Sequence, residues 1–277
     1  MLVNLKTVLY DAKEKKYGVP AANVWNEGTV KAAIATAEKY RSPIILALYP
    51  AMADILEFGP VAVRHAMRSS VPVVVHLDHG QEFSDAIKAV RAGFTSIMVD
   101  RSTCPYEQNV AEVKEIVKIA HAIDISVEAE LGHVGKGCDY EKIKNEGLTD
   151  LAEAQSFVRE TGIDCLAVAV GTSHGLYSGI PEIQFERLDR LNQAIAIPLV
   201  LHGCSGTGDE NLKKAIQFGI TKLNLYTDLD RAGCALLDRY CSRKKIANMM
   251  EAETAILEGY AQKLRYYIEL FGSMKRV

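Results

Sequence analysis

The chain has 277 residues, of which 48% are hydrophobic, and its formal net charge at pH 7 is −3. This length is enough for one large α/β barrel domain or for two ordinary domains. A charge so close to neutral lacks the basic excess expected of a protein that binds nucleic acid or an anionic membrane surface.

Other features of the chain predict a reduced, cytoplasmic protein. The six cysteines are scattered and include no CxxC pair, a distribution typical of thiols in a reducing compartment. The N-terminal stretch MLVNLKTVLYDAKEKK has neither the continuous apolar core nor the small-residue cleavage site of a signal peptide. No apolar run approaches the roughly 20 residues that a membrane-spanning helix needs. We therefore expect a cytoplasmic location and no membrane partner.

Short runs rich in β-branched residues alternate with longer amphipathic runs along the chain. Each short run is almost continuously apolar, as expected for a parallel strand that is covered on both faces. The predicted strands are 18–24 (GVPAANV), 42–49 (SPIILALY), 71–79 (VPVVVHLDH), 96–100 (SIMVD), 126–132 (SVEAELG), 165–171 (CLAVAVG), 198–203 (PLVLHG) and 222–227 (KLNLYT).

The intervening runs have the spacing of apolar residues that is typical of helices, as in 82–93, 109–123 and 209–219. Eight strands that alternate with helices predict an α/β fold, the TIM (β/α)8 barrel. No Pro/Gly/Ser-rich linker or block of like charges interrupts the series, so we predict that residues 1–277 form a single domain. The last segment, from about Glu251 to Phe271, is predicted to be an additional C-terminal helix outside the barrel.

Ionisable and polar residues stand at or near the ends of the predicted strands. They are Asp78 and His79 after strand three, Asp100 after strand four, Glu128 and Glu130 in strand five, His174 after strand six, His202 in strand seven, and Asn224, Thr227 and Asp228 at strand eight. The C-terminal ends of all strands of a TIM barrel lie on one face, where the active site is found. We therefore expect these side chains to converge around one opening.

Three histidines at three different strand ends, His79, His174 and His202, predict a metal site. Neutral imidazoles that converge with a carboxylate bind divalent transition metals such as zinc. Three protein ligands leave one coordination position open for a substrate, as in catalytic rather than structural zinc sites. A lone histidine is more often a hydrogen-bonded structural residue, which is the interpretation for His65, His121 and His133, whereas His76 either lines the barrel or fills it.

The loops after strands seven and eight are the usual phosphate-binding loops of this fold. Here they contain HGCSGTGDEN and NLYTD, in which Gly203, Gly206 and Gly208 allow backbone N–H groups to approach an anion. The hydroxyl groups of Ser205 and Thr227 add further donors. A glycine-rich loop alone is more often a tight turn, but its position in this fold favours a phosphate site.

These motifs resemble those of the class II, metal-dependent ketose-bisphosphate aldolases, which include the fructose- and tagatose-bisphosphate aldolases. The matching segments follow the family order and cover nearly the whole chain: HLDHG (76–80), VEAELGHVG (127–135), AVAVGTSHGLY (167–177), PLVLHGCSG (198–206) and KLNLYTD (222–228). The resemblance implies a lyase of carbohydrate metabolism, including glycolysis. Such an enzyme reversibly cleaves a ketose phosphate, of the fructose- or tagatose-1,6-bisphosphate type, to dihydroxyacetone phosphate and an aldehyde.

The resemblance also implies roles for individual residues. It assigns zinc to His79, His174 and His202, with Glu130 also at the metal, and it makes Asp78 the acid/base. Zinc is then expected to stabilise the enediolate as a Lewis acid. The resemblance assigns substrate binding to Asn23, Gly175, Gly203, Cys204, Ser205, Asn224, Leu225, Tyr226 and Thr227. It further implies a monovalent cation (Na⁺ or K⁺) near the phosphate and a homodimer or homotetramer.

Four segments depart from the family pattern. The family's GGxED loop after strand five is GKGCDYE here (135–141), so that Cys138 stands where the family has a proton-transferring glutamate. Tyr49 replaces a serine after strand two, Arg101 lies in the altered segment after strand four, and PAANVWN keeps Asn23 without the usual phenylalanine. We predict that Arg101 and Tyr49 reshape the pocket for a different aldehyde.

Three functions remain open at this point, and a phosphorylated sugar is the expected partner. The first is a zinc-dependent aldolase. The second is a divergent zinc- and sugar-phosphate-binding homologue with weak or no aldolase activity, because Cys138 replaces the loop glutamate. The third is another metal-assisted reaction on a phosphorylated sugar, such as isomerisation, which accounts less well for the adjacent Asp78 and His79.

Overall fold

The computed structural model describes residues 1–143, 145–243 and 246–277, and eight parallel strands in it close into one barrel. The strands are β1 (Val19–Asn23), β2 (Ile44–Leu48), β3 (Val73–Gly80), β4 (Ser96–Val99), β5 (Ser126–Leu131), β6 (Cys165–Val168), β7 (Leu199–Leu201) and β8 (Ile220–Leu225). Each strand pairs with the next in the chain, and β8 pairs with β1 to complete the ring. The predicted TIM barrel is therefore confirmed.

Helices connect the strands and flank the barrel at both ends of the chain. They are α1 (Leu5–Lys15), α2 (Glu27–Tyr40), α3 (Ile55–Arg68), α4 (Phe83–Ala92), α5 (Tyr106–His121), α6 (Tyr140–Ile143), α7 (Leu151–Thr161), α8 (Phe185–Ala194), α9 (Asp209–Gln217), α10 (Thr227–Arg243) and α11 (Met249–Leu270). A short 3₁₀ turn, Gly137–Asp139, precedes α6. Within the described residues, no helix combines the length and the apolar character needed to cross a membrane.

The strands consist of continuous apolar runs because both of their faces are covered. Every residue of β1, β2, β4 and β8 is buried. Successive side chains of a strand point to opposite faces, so that Ile44 and Leu46 pack under the helices while Ile45, between them, points into the barrel. The larger part of the core therefore lies between the strands and the surrounding helices, as expected for this architecture.

The first helix closes one end of the barrel, a role that its sequence does not reveal. The apolar face of α1, which includes Leu5, Leu9 and Ala12, packs with inward-facing strand residues such as Ile45 and Val74. Asn4 begins this helix by accepting a hydrogen bond from the N–H of Thr7. The helix thus lies at the end of the barrel opposite to the strand ends that carry the polar residues.

The predicted C-terminal helix is present as α11 and packs along α10 and α2. The fully buried Tyr260 on this helix donates a hydrogen bond from its hydroxyl to the carbonyl oxygen of Asn23, 3.0 Å away. The ring of Trp25 meets both Tyr226 and Tyr260 edge-on. The C-terminal helix therefore supports the end of β1, where Asn23 lies.

The observed strands differ from the predicted ones mainly at their ends. β6 ends at Val168 and β7 at Leu201, whereas the apolar patterns continue to Gly171 and Gly203. Both glycines have positive φ values, 99° and 71°, which turn the backbone out of the strand direction. β8 begins at Ile220 and ends at Leu225, before α10 begins at Thr227.

Candidate active site

His79 reaches the opening of the barrel because the end of β3 departs from regular strand geometry. Adjacent residues of a strand normally point to opposite faces, but the pairing of β3 with β4 shifts register between Leu77 and Gly80. His79 itself has a φ of 49°, in the left-handed region that non-glycine residues rarely adopt. Bulges re-aim side chains in this way, and such strain is concentrated at functional sites. The distortion presents both Asp78 and His79 to the same opening.

The three predicted histidine ligands converge. The ring of His79 lies 4.9 Å from that of His174 and 4.5 Å from that of His202, measured between centroids. One nitrogen from each of the three rings lies within 4.8 Å of the others. A second cluster of possible ligand atoms joins His79 to Asp100 and Glu130. The fold thus brings together side chains from β3 and β5 and from the segments after β4, β6 and β7.

Two of the three histidines are oriented by carboxylates that contact the far side of the ring. Nδ1 of His79 lies 2.7 Å from Oδ2 of Asp100, and Nε2 of His202 lies 3.0 Å from Oε1 of Glu128. Carboxylates in these positions set the tautomer of a metal-binding histidine and leave its other nitrogen bare. The buried Nδ1 of His202 and Oε2 of Glu130 have no hydrogen-bond partner among the described residues. This set of nitrogen and oxygen donors fits a divalent zinc ion.

The electrostatic environment gives these ligands different pKa values. Burial tends to lower the pKa of His79, but Asp78 and Asp100 outweigh this effect and raise it to about 9. Burial, together with the charge of His79, lowers the pKa of His174 to about 4. Burial also holds the pKa of His202 well below its usual value. The pKa of Glu130 is raised to about 8, by burial and by Asp100. At neutral pH, the metal-free site therefore holds protons on His79 and Glu130.

The carboxylate of Asp78 is held from both sides. Oδ2 accepts a hydrogen bond from the side-chain amide of Asn23, and Oδ1 accepts one from that of Asn224, both at 2.9 Å. Burial opposes ionisation of Asp78, yet the charges of His79, His202 and Lys222 outweigh it and lower its pKa to about 2. Asp78 is therefore an ionised and immobilised proton acceptor beside the histidine cluster.

A cavity of about 450 Å³ opens above these residues. Of the residues predicted for the site, those that line it are Asn23, Asp78, His79, His174, Gly175, His202, Gly203, Cys204, Ser205, Asn224, Tyr226 and Thr227. Glu130 does not line the cavity and is buried near His79. The side chain of Leu225 packs in the core under the helices, so that only its backbone can face a ligand.

The predicted phosphate loops meet at one side of the cavity. Gly203 has a φ of 71°, and a Cβ at this position would lie 2.4 Å from the carbonyl oxygen of Ser173, so only glycine fits there. Ser205 accepts a hydrogen bond from the N–H of Asp228 at 3.1 Å, which joins the β7 loop to the first turn of α10. The free backbone N–H groups at a helix start attract anions. The geometry therefore suits a phosphate between Ser205 and Thr227.

His133 and Arg101 differ from the sequence-based interpretation, and Lys136 is a cavity residue that the sequence analysis did not single out. His133, interpreted as a structural residue, lines the cavity and pairs with the hydroxyl of Ser102 at 3.0 Å. Lys136 also lines the cavity, and its backbone forms a parallel bridge with His174. The prediction for Arg101 is wrong, because its guanidinium pairs with Glu112 on α5 and does not line the cavity. Residues such as His133 and Lys136 reach the cavity because of the way their loop folds. Loops lack the periodic pattern of apolar residues from which helices and strands are predicted, so the sequence does not indicate such positions.

Tyr49 and Cys138, two of the residues that depart from the family pattern, lie in different environments. Tyr49 lines the cavity, and its ring meets that of His79 edge-on at 6.2 Å. Cys138 is exposed on the 3₁₀ turn before α6, and its Sγ lies 3.6 Å from Oδ2 of Asp139. It is not among the described residues that line the cavity. At this position the chain therefore presents a thiol, with the carboxylate of Asp139 beside it.

The chain is similar to known proteins in sequence and in fold. The sequence matches the family Fructose-bisphosphate aldolase class-II over residues 3–276. The YdjI aldolase from Escherichia coli K12, known from a crystal structure, is 33% identical in sequence to this chain, with a TM-score of 0.89. The match covers 99% of this chain and 98% of that chain. A provisionally assigned fructose-1,6-bisphosphate aldolase from Coccidioides immitis is 28% identical, with a TM-score of 0.88 and coverage of 98% and 96%.

A third solved structure extends the comparison of the fold alone. The fructose-bisphosphate aldolase Fba from Campylobacter jejuni is 19% identical to this chain, with a TM-score of 0.80. The match covers 100% of this chain and 97% of that chain. At this level of identity the likeness concerns the arrangement of the strands and helices, which the two chains share over nearly their whole lengths.

Proposed function

Because the chain belongs to the class II fructose-bisphosphate aldolase family, we propose that it is a zinc-dependent aldolase. In this proposal, it reversibly cleaves a ketose phosphate of the fructose- or tagatose-1,6-bisphosphate type to dihydroxyacetone phosphate and an aldehyde. The observation that carries the proposal is the convergence of His79, His174 and His202 beside an ionised Asp78 at the open end of the barrel.

The three histidines are the proposed zinc ligands, with Glu130 as a fourth donor beside them. The bare Nδ1 of His202 and the unpartnered Oε2 of Glu130 support this assignment, because buried polar atoms are rarely left without a partner. Zinc bound there would supply a Lewis acid for the negative charge that develops on the ketose oxygens. Asp100 and Glu128 would keep two of the histidine rings oriented toward the ion.

Asp78 is the proposed base. It takes the proton from the C4 hydroxyl of the ketose, the C3–C4 bond breaks, and C4 becomes the carbonyl carbon of the aldehyde. The electron pair of that bond stays with the three-carbon half, which becomes dihydroxyacetone phosphate when C3 takes up a proton. Asn23 and Asn224 hold the carboxylate in position for this transfer, which supports efficient general base catalysis.

Substrate binding is proposed at the loops after β6, β7 and β8. The phosphate lies against the backbone of Gly203, Cys204 and Ser205 and against the segment 224–227, with Gly175 opposite. A monovalent cation near the phosphate, a cytoplasmic location, and a homodimer or homotetramer are proposed from the family resemblance. The family match over residues 3–276 supports one domain.

The direct test is an activity assay on purified protein. Fructose and tagatose 1,6-bisphosphates and their monophosphate analogues are supplied, and the release of dihydroxyacetone phosphate is coupled to NADH oxidation, with and without EDTA and added Zn²⁺. Release that EDTA abolishes and zinc restores supports the zinc-dependent aldolase. Absence of release from every ketose, by protein that holds stoichiometric zinc, would contradict it and support a binding homologue.

The variant Cys138→Glu separates these two outcomes further. A large gain in turnover would mark the natural chain as an impaired enzyme that lacks the loop glutamate. Turnover that changes by less than about threefold, from a measurable natural rate, supports an enzyme that does not need a carboxylate at this position. Cys241→Glu is a matched control, because Cys241 is another exposed cysteine and lies on α10.

A further inference from the structure

Lys222 on β8 is completely buried inside the barrel. Its neighbour Leu223 packs under the helices, so the alternation of a strand points Lys222 and Asn224 inward. A buried ammonium group is costly unless it is paired and fully hydrogen-bonded. Nζ of Lys222 lies 3.0 Å and 2.9 Å from the two carboxylate oxygens of Glu128, and 2.8 Å from Oδ1 of Asn224. These contacts match the three donors of an ammonium group.

The contact with Asn224 determines which way its side-chain amide points. An ammonium group has only donors, so Lys222 must face the oxygen of the amide. The NH₂ group of Asn224 is therefore directed at Oδ1 of Asp78, 2.9 Å away. If the amide were rotated by 180°, its NH₂ group would face the ammonium group of Lys222, and its oxygen would face the carboxylate of Asp78. Neither hydrogen bond could then form. Lys222 thus excludes the rotated amide and keeps the carboxylate of Asp78 hydrogen-bonded.

The contact with Glu128 acts on a histidine in the same way. Oε1 of Glu128 lies 3.0 Å from Nζ of Lys222 and 3.0 Å from Nε2 of His202. A carboxylate has only acceptor atoms, so Glu128 takes a hydrogen bond from Nε2–H of His202, which leaves Nδ1 of His202 bare. This Nδ1 is one of the buried side-chain atoms that have no hydrogen-bond partner among the described residues. One lysine is therefore connected to both halves of the site.

We infer that Lys222 is a positioning residue that sets the amide orientation of Asn224 and the tautomer of His202 at the same time. This inference rests on the proposed function, since it assigns Asp78 and His202 to catalysis and zinc binding. Buried ion pairs add little to stability and can often be replaced by apolar residues, so stability alone does not account for a lysine at this position. The two directed hydrogen bonds do account for it.

The test compares the variant Lys222→Met with the natural protein. Loss of the ammonium group is expected to lower kcat, and separately the affinity for Zn²⁺, by about 10- to 100-fold each. In the metal-free protein, ¹⁵N–¹H correlation spectra of the histidine rings should show His202 changing from one tautomer, with the proton on Nε2, to a mixture. An unchanged tautomer with kcat and zinc affinity within about threefold of the natural values would overturn the inference.

Lys13→Met is the matched control. Lys13 likewise donates from its ammonium group to three oxygen atoms, the backbone carbonyls of Ile195, Ala196 and Ile197, at the end of the barrel that α1 closes. Its removal is expected to lower thermal stability while kcat, zinc affinity and the His202 tautomer stay as they are. Equal losses of kcat in both variants would show a general structural effect and contradict a positioning role.

A double variant keeps the test decisive if Lys222→Met does not fold. Lys222→Met with Glu128→Gln removes both buried charges and so relieves the uncompensated carboxylate. A positioning role predicts that the double variant folds but keeps the low kcat, because the amide of Asn224 is still free to rotate. Recovery of the natural kcat in the double variant would show that Lys222 only neutralises the charge of Glu128, and it would overturn the inference.

Zinc affinity and the His202 tautomer are measured without any ketose. If the natural protein cleaves none of the ketose phosphates, the proposed function fails, and these two measurements still decide whether Lys222 positions His202. If the natural protein cleaves a ketose but Lys222→Met behaves normally, the proposed function stands and only the positioning role is lost.

Discussion

Asn224 and Asp78 lie 146 residues apart in sequence, on β8 and β3, and the side-chain amide of one donates to the carboxylate of the other at 2.9 Å. The strands β1 and β2 separate them in the barrel. Asn23, at the end of β1, holds the other carboxylate oxygen at 2.9 Å. Three strands therefore contribute to the orientation of a single proton acceptor.

Replacement of Asn224 by alanine is expected to lower kcat by about 100-fold, because a small displacement of a catalytic group has an effect of this size. The fold should remain intact, as judged by circular dichroism. Asn4→Ala is the control, since Asn4 caps α1 at the other end of the barrel. Its loss should cost about 1 kcal/mol of stability without a change in kcat. A normal kcat for Asn224→Ala would contradict the proposed role of this contact.

Zinc binding is expected to release about two protons per ion at pH 7. The pKa of His79 is raised to about 9 and that of Glu130 to about 8, so both carry a proton in the metal-free protein. Both must lose it to bind a metal, and the affinity for zinc should therefore rise with pH until pH passes about 9. Below pH 8, both His79 and Glu130 must lose a proton before zinc binds, so each unit of acidification weakens zinc binding through both groups.

Isothermal titration calorimetry in buffers of different ionisation enthalpy measures this proton release. Glu130→Gln should reduce the release at pH 7 to about one proton, because only His79 then has a proton to lose. A release of about one proton from the natural protein would remove Glu130 from the ligand set and leave the three histidines. No release would contradict His79 as a ligand.

Lys136 is expected to favour substrates with a second anionic group on the aldehyde half. It is the only lysine or arginine among the described residues that line the cavity, and none of them forms an ion pair with it. Lys136→Met should raise KM for a ketose bisphosphate about two- to fivefold, as for loss of an exposed ion pair, and leave KM for the matching 1-phosphate unchanged. Arg101→Met is the control, since Arg101 pairs with Glu112. Equal changes in KM for both substrates would contradict this role.

Leu9→Ala is expected to destabilise the protein by about 2–5 kcal/mol, as for other buried leucines. Leu9 is 1% exposed and packs in the closed end of the barrel. Leu56→Ala, at a position 38% exposed on α3, should cost less than about 1 kcal/mol. Urea denaturation measures both values. Because Leu9 lies far from the cavity, kcat at 25 °C should be unchanged, and a loss of kcat in folded Leu9→Ala would contradict this separation.

Much of the fold could be predicted from local patterns. Apolar runs such as 42–49 identify buried parallel strands, because both of their faces are covered whatever surrounds them. The positions of His79, His174 and His202 at strand ends were sufficient to predict their convergence, since all strands of this barrel end on one face. The bend that presents His79 was not predictable, because a positive φ at a histidine follows from the pairing of β3 with β4.

The amino-acid sequence by itself determined the order of strands and helices, the family, and the residue types at the candidate site. Only the tertiary structure decided that α1 closes the barrel, that Arg101 turns to Glu112, and that Lys222 joins Glu128 to Asn224. The physical reason is the range of the interactions. Periodicity reports which face of an element is buried, whereas a partner 94 residues away across the barrel is selected by closure of the sheet and the register of its strands.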